Sequence, residues 1–424
     1  MGEKHRIAGS FVLLVLVLLY LILMTGSSYP LSISGYYKNY STALDIPDIE
    51  NISFYEDQPI AGSVSNRLRL NLSHQPNDWS RLELAYDLVP RIQDEILFSG
   101  RLLTFDTGIS GYRASDFDEQ LYPDENEPVS SFAVFHNLDR LLVTLRAPFA
   151  DIYLGRQAIA WGSARIINPT DILRPFTFNE LDVEDRRGID ALRVRIPIGL
   201  MSEFDAGYVF GDQFKFENSA QFLRTRLYYL RTDISLLVIS FRENLLVGFD
   251  LTRAIGGAGV WLESAYVFTH ALDDNVTASD DYLRSSAGVD YSLGDGTYLF
   301  CEYHYNQAGE NNSDRYISLS DDIAYNEGAV YLLAEHYLAA GISHNITPLI
   351  ILNGEVLTNL IDPSAYLMPS VKYNIEENFY LSGGVYFGLG KKPEFNPMSP
   401  GFIEMPSEFG FYPTMYYSSF RIYF

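Results

Sequence analysis

The sequence predicts an all-β fold, a transmembrane antiparallel up-and-down barrel of about 18 strands, with 16 also compatible. Three observations lead there. The chain stops in mid-strand on an aromatic residue, Phe424. Many segments alternate apolar and polar residues over about ten positions, the length a tilted membrane strand needs. Read back from Phe424, the links between these segments are alternately short and long, as in barrels with tight turns on one side and long loops on the other.

The front of the chain comes first. Lys4 and Arg6 precede an apolar run from Phe11 to Met24, followed by Gly26, Ser27 and Ser28. Basic, apolar, then small is the order of a secretory signal, so 1–28 is expected to be one, with an uncleaved anchor as the alternative. Residues 29–424 then form a single barrel domain whose first strand begins near Ile33. Leu82, Leu84, Tyr86 and Leu88 oppose Arg81, Glu83 and Asp87. Leu192, Val194 and Ile196 oppose Arg193 and Arg195, and Leu299, Cys301, Tyr303 and Tyr305 oppose Glu302, His304 and Asn306. Arg193, Arg195, Glu302 and His304 are therefore expected to face the lumen. Long links are expected at 41–63, 89–131, 159–188, 212–221, 272–280, 307–330 and 390–411. Short ones are expected at 73–79, 147–149, 197–201, 253–257, 293–296, 344–347 and 374–378. The link at 242–244 is short where the alternation calls for a long one. In the last strand Tyr416, Phe420, Ile422 and Phe424 share one face, and Tyr417, Ser419 and Arg421 the other.

Composition agrees. The 424 residues are 47% hydrophobic yet carry a net charge of −24, and 31 Tyr and 27 Phe dominate the aromatics. Tyrosine suits the membrane–water interface. A single cysteine, Cys301, forms no internal disulfide, and the acidic balance disfavours nucleic acid as a partner. The acid collects in the long links, at Asp116, Asp118 and Glu119, at Asp124, Glu125 and Glu127, and at the pairs Asp273–Asp274, Asp280–Asp281 and Asp321–Asp322. Solvated loops explain this best; cations bridging lipopolysaccharide are the alternative.

One link stands out. Gly155-Arg-Gln157 and Trp161-Gly162 run into Asn168-Pro-Thr-Asp171, Arg174 and Glu184-Asp-Arg-Arg187. Its apolar residues (Ile166, Ile167, Ile172, Leu173, Phe176 and Phe178) could pack on a wall. Arg156, Arg165, Arg174, Arg186 and Arg187 could face Asp171, Glu184 and Asp185 across a constriction. Fixed opposite charges in a narrow pore sort solutes. The third long loop, 159–188, is thus expected to fold into the lumen; bracing of the wall is the competing role for the same charges.

This combination of Gly-Arg-Gln, Trp-Gly and Asn-Pro-x-Asp resembles a poorly characterised family of proteobacterial porin-like outer-membrane barrels, with a more distant likeness to alginate-export barrels. The ending resembles the C-terminal signature read by the barrel assembly machinery, which would make Phe420, Ile422 and Phe424 the assembly signal. The resemblance implies the Gram-negative outer membrane, with its lipid and lipopolysaccharide as surroundings and the C-terminus periplasmic. It also implies a substrate channel and leaves a homotrimer open.

The seven histidines are scattered, at 5, 74, 136, 270, 304, 336 and 344, and no His-Glu-x-x-His or Gly-x-Ser-x-Gly motif occurs. No cofactor, metal or enzymatic activity is expected. The reading is passive diffusion of small polar or anionic solutes. A sheath around an electron-transfer or export partner, an outer-membrane hydrolase, and an anchored soluble β-sandwich are the alternatives.

Overall fold

The computed structural model describes residues 31–46, 60–97, 111–115, 120–124, 127, 129–272, 280–396 and 403–424. The expected signal segment 1–28 and the acidic positions Asp116, Asp118, Glu119, Glu125, Asp273 and Asp274 lie outside them.

In chain order the strands are β1 (Ser32–Asp45), β2 (Ile60–Asn77), β3 (Ser80–Gln93), β4 (Phe132–Ala147), β5 (Ala150–Gln157) and β6 (Ile189–Ile198). Then come β7 (Ser202–Val209), β8 (Ala220–Tyr229), β9 (Thr232–Phe241), β10 (Asn244–Ile255), β11 (Ala258–Phe268) and β12 (Tyr282–Ser292). The ring is completed by β13 (Thr297–Asn306), β14 (His336–Thr347), β15 (Ile350–Asn359), β16 (Ser364–Leu367 with Ser370–Glu376), β17 (Phe379–Leu389) and β18 (Thr414–Tyr423). Each pairs antiparallel with its neighbours. The stave β16 is broken at Met368-Pro369, because proline has no N–H for the ladder. A short piece, Gln120–Tyr122, adds to the edge of β4. The expected 18 staves are present.

The ring closes between β1 and β18, from Tyr36 opposite Tyr423 to Asp45 opposite Thr414. Gly35 and Phe424 extend the seam by exchanging backbone hydrogen bonds of 2.9 and 3.0 Å. Gly35 is required there, since a Cβ would stand 2.9 Å from the Phe424 ring and 2.3 Å from the Arg69 carbonyl oxygen. A closed ring leaves no unpaired edge, the condition for a β-structure in lipid.

Tight turns gather at one end. They include Leu230-Arg231 and Gly256-Gly257, all four with positive φ, as two-residue hairpins demand. The irregular end holds the long loops, plus the two-residue turn Arg242-Glu243 that breaks the alternation. Outward positions are apolar and exposed, for example Leu236, Val238, Val247, Phe249, Leu262 and Leu352. Trp79, Phe149, Tyr229 and Phe424 form an exposed aromatic rim at the tight-turn end. No described helix is long and apolar enough to cross a membrane.

The buried apolar cluster lies inside the barrel. Trp161, Ile167, Ile172 and Leu173 of the 158–188 loop join Phe222, Ile239 and Leu246 of the wall. Tyr331, Tyr337, Phe409 and Phe411 complete it from the irregular end. Phe178 is the hinge of this packing, with its ring 5.3–6.2 Å from those of Tyr331, Tyr366, Phe409 and Tyr412.

Glu408 pins the loops together. It accepts from Leu333 N–H at 3.1 Å, from the Tyr337 hydroxyl at 2.5 Å and from Asn359 Nδ2 at 2.9 Å. Burial pushes its carboxyl up to about 8. The folded value lies above the unfolded one, so this contribution to stability is complete below about 4.3 and is lost as pH rises through about 8. Amide exchange in 323–336 is expected to quicken between pH 7 and 9 beyond its intrinsic pH dependence in the native protein, and not in a Glu408→Gln variant.

Candidate functional site: the loop across the lumen

The inner wall is electrically two-sided. Strands β10 to β13 present Asp250, Glu263, Asp290 and Glu302 inward, each alternating with outward apolar residues. Strands β1, β2 and β4 present Lys38, Arg67, Arg69 and Arg140, an excess of positive charge over Asp87 of β3 and Asp139 of β4, with which Arg67, Arg69 and Arg140 pair. Carboxylates buried in a wall are costly unless they accept hydrogen bonds. The in-folded loop supplies those bonds.

Its first arm feeds the acidic wall. Trp161 packs edge-on against Phe222, with centroids 4.7 Å apart. Gly162 then turns with φ +99°, where a Cβ would lie 2.7 Å from the Glu263 carboxylate. The backbone N–H groups of Ser163, Ala164 and Thr170 donate to Glu263 at 2.9, 3.1 and 2.8 Å, and the Thr170 hydroxyl adds a fourth bond at 2.7 Å. The Ser163 hydroxyl donates to Asp250. Glu302 accepts the N–H groups of Arg165, Ile166 and Ile167 at 2.6, 3.2 and 3.1 Å, and Trp261 Nε1–H at 2.9 Å. Arg165 reaches Asp290 and stacks over the Trp261 ring at 5.1 Å.

Its second arm feeds the basic wall. Asp182 takes Lys38 at 2.8 Å and Arg67 at 3.1 Å. Burial alone would push its carboxyl up, but Lys38 and Arg67 hold it below the usual carboxylate range. Glu184 takes Lys38 at 2.8 Å and the Tyr423 hydroxyl at 2.6 Å, with Arg421 3.9 Å away. Asp185 accepts from the Tyr36 hydroxyl at 2.6 Å. The loop therefore spans the lumen, with its ends matched to walls of opposite sign.

Between the arms, Arg186 bonds Asp171 and also the Arg174 carbonyl at 2.5 Å. Burial pushes the Asp171 carboxyl up to about 6, against the pull of Arg186. Arg174 lies in the field of Glu180, and Arg187 is half-buried in the returning segment. Arg156 stands apart from this group. It lies on the opposite face of its strand from Gly155 and Gln157, opposite Asp190 on β6, and bonds Asp190 at 2.8 Å and the Ser115 carbonyl at 2.9 Å. Arg193 pairs with Asp205 at 2.6 Å and Arg195 with Glu203. His304 bonds the Ser286 hydroxyl at 2.8 Å, and Ser286 in turn donates to the Ile167 carbonyl. Phe420, Ile422 and Phe424 sit on the outer face of the closing strand. Among the described residues no group of three or more His, Cys, Asp and Glu could hold a metal.

Two chambers meet at the loop. One, of about 430 Å³, lies toward the irregular end and is lined by Arg284, Glu180, Glu355, Phe176, Tyr331 and Tyr386 among others. The second, of about 450 Å³, lies toward the tight turns and carries Lys372, Arg421, Glu377 and Tyr380. Leu181 and Val183 line both, so they form the partition.

Sequence reading did not single out Glu263, Asp250, Asp290, Lys38, Arg67, Arg69 or Arg284. Their alternation places each on an inner face, but their partner lies 100 or more residues away in several cases.

No protein-family model matches the chain, and no curated protein matches it. Solved structures do. OccD3 (OpdP) of Pseudomonas aeruginosa superposes with a TM-score of 0.54 at 10% identity, covering 94% of this chain and 92% of that one. OpdK of Pseudomonas aeruginosa, determined with vanillate, gives 0.54 at 10% identity, covering 93% and 98%. OccAB2 of Acinetobacter baumannii gives 0.54 at 8% identity, again covering 93% and 98%. At this identity the likeness is one of architecture, and it shows that the chain has the fold of these outer-membrane barrels over nearly its whole length.

Proposed function

We propose that this protein is an outer-membrane channel of Gram-negative cells through which small polar or anionic solutes diffuse passively. The observation that carries the reading is the loop strung between an acidic and a basic wall. It narrows a lumen that 18 strands would otherwise leave wide, and it sets a transverse field across the narrow part. A sheath needs a lumen wide enough for a protein, and an in-folded loop weighs against that. The barrel fold shared with OccD3, OpdK and OccAB2 supports the membrane assignment.

The preference for anions rests on residues beside the partition. Arg421 and Lys372 line the chamber beneath it, beside Asp182, Glu184 and Glu377, and Arg165, Arg186 and Arg284 line the chamber above, beside Asp171, Glu180 and Glu355. The proposed constriction residues are Arg165, Asp171, Arg174, Glu184, Asp185, Arg186 and Arg187. Arg156 braces the rim through Asp190. The exposed faces of Phe420, Ile422 and Phe424 are available to the assembly machinery, with the C-terminus on the periplasmic side.

Replacing Arg174, Arg186 and Arg187 with Ser removes three positive charges from the narrow segment. The reversal potential in a salt gradient is expected to move toward cation selectivity. An unchanged potential would take these residues out of the conduction path.

A further inference from the structure

We infer that the second arm of the loop is a closure latch: Asp182, Glu184 and Asp185 lock the seam between β1 and β18 from inside the barrel, so the ring is held shut by the loop that crosses it. The inference stands apart from the channel reading, since it does not depend on whether the lumen conducts.

The strand register sets the problem. Lys38 of β1 lies directly opposite Arg67 of β2 on one side and Arg421 of β18 on the other. Three cations thus stand in one row on the inner face of three neighbouring strands, and the row crosses the seam. Like charges directly opposite each other in a sheet are destabilising. Lys38 is fully buried, which adds the cost of desolvating its ammonium. Asp87 of β3 answers Arg67 at 2.9 Å. Among the described residues no carboxylate of the wall forms an ion pair with Lys38 or Arg421; their acidic partners are those of the loop. The seam is where repulsion matters most. β1 and β18 are the first and last staves, and no turn ties them together as turns tie successive staves.

The carboxylates of the loop fit between these cations. Asp182 sits between Arg67 and Lys38, at 3.1 and 2.8 Å. Glu184 straddles the seam itself. Its Oε2 is 2.8 Å from Lys38 Nζ on β1 and 3.9 Å from Arg421 Nη1 on β18, and it accepts the Tyr423 hydroxyl at 2.6 Å. The next inward pair along the seam is clasped in the same way. Tyr36 lies opposite Tyr423, with their rings edge to face at 5.8 Å. Asp185 accepts the Tyr36 hydroxyl at 2.6 Å while its neighbour Glu184 takes that of Tyr423. Two consecutive residues of the loop therefore hold β1 and β18 together at two successive inward positions. The first arm has no part in this, because it fastens to β10–β13 on the other side of the ring.

The double variant Asp182→Asn, Glu184→Gln keeps the size of both side chains and removes both charges. In the full-length protein its heat-modifiable transition is expected to fall by about 10 °C. Amide exchange in 36–45 and 414–423 should quicken about tenfold, while that in 244–255 and 258–268 stays as in the native protein. Adding Lys38→Met takes the middle cation out of the row and should bring both readouts back toward the native values. If the double variant does not reach the folded state, the triple variant decides: recovery of folded barrel sustains the latch, and no recovery overturns it. A native transition with native exchange at the seam would overturn it too. So would a loss of protection spread evenly over the barrel, or one that Lys38→Met does not relieve.

Discussion

Replacing Glu263 and Glu302 together with alanine is expected to raise single-channel conductance by about threefold or more, toward that of an unobstructed 18-strand lumen. Each carboxylate receives three backbone N–H groups of the loop, and each also holds a side-chain donor, the Thr170 hydroxyl or Trp261 Nε1–H. Leaving a buried donor without an acceptor costs about 1–3 kcal/mol. Six orphaned N–H groups exceed what the short apolar contacts of 163–170 can offset, so the first arm should swing free or admit water. The barrel staves do not depend on these bonds, and heat-modifiability should survive. Conductance at the native value in a folded double variant would mean that the loop does not set the narrow point.

The second large effect falls on the seam. Gly35→Val or deletion of Phe424 is expected to lower the amount of folded barrel in the outer membrane by about tenfold, because an open edge in lipid exposes unpaired backbone groups at several kcal/mol each. Valine at position 35 would drive its Cβ into the Arg69 carbonyl and the Phe424 ring. Deletion of Phe424 removes both hydrogen bonds to Gly35 as well as the terminal aromatic. Arg421→Glu serves as the contrast, since Arg421 faces the lumen and is 3.9 Å from Glu184, so assembly should change little. Normal levels of the Phe424 deletion would separate closure from the terminal residue.

Much of the architecture was legible because a membrane barrel writes its physics locally. Lipid demands an apolar outer face, and the pleat imposes a period of two, so Leu299 to Asn306 declares its two faces without any tertiary information. The tight turns were equally plain, and even the short link at Arg242-Glu243 could be placed. The in-folding of 159–188 was signalled by apolar residues such as Ile167, Ile172 and Leu173, which an external loop would not keep and which are buried here.

The loop's fastenings were not legible. Glu263 reads as one inward carboxylate among many, and nothing near it names Ser163 and Thr170 as its donors. All but the Thr170 hydroxyl bond are made by backbone groups, which leave no trace in side-chain identity. Arg156 shows the converse. It sits in a motif beside the loop, and its register on β5 puts it across from Asp190, a partner that nothing in the motif names.

The most direct test is single-channel recording of the purified full-length protein in a planar bilayer under a salt gradient. Discrete, stable conductance steps with a reversal potential biased toward anions are the expected result. A heat-modifiable, folded barrel that passes no current would contradict the channel, and a cation-selective reversal potential would contradict the role given to the arginines beside the partition.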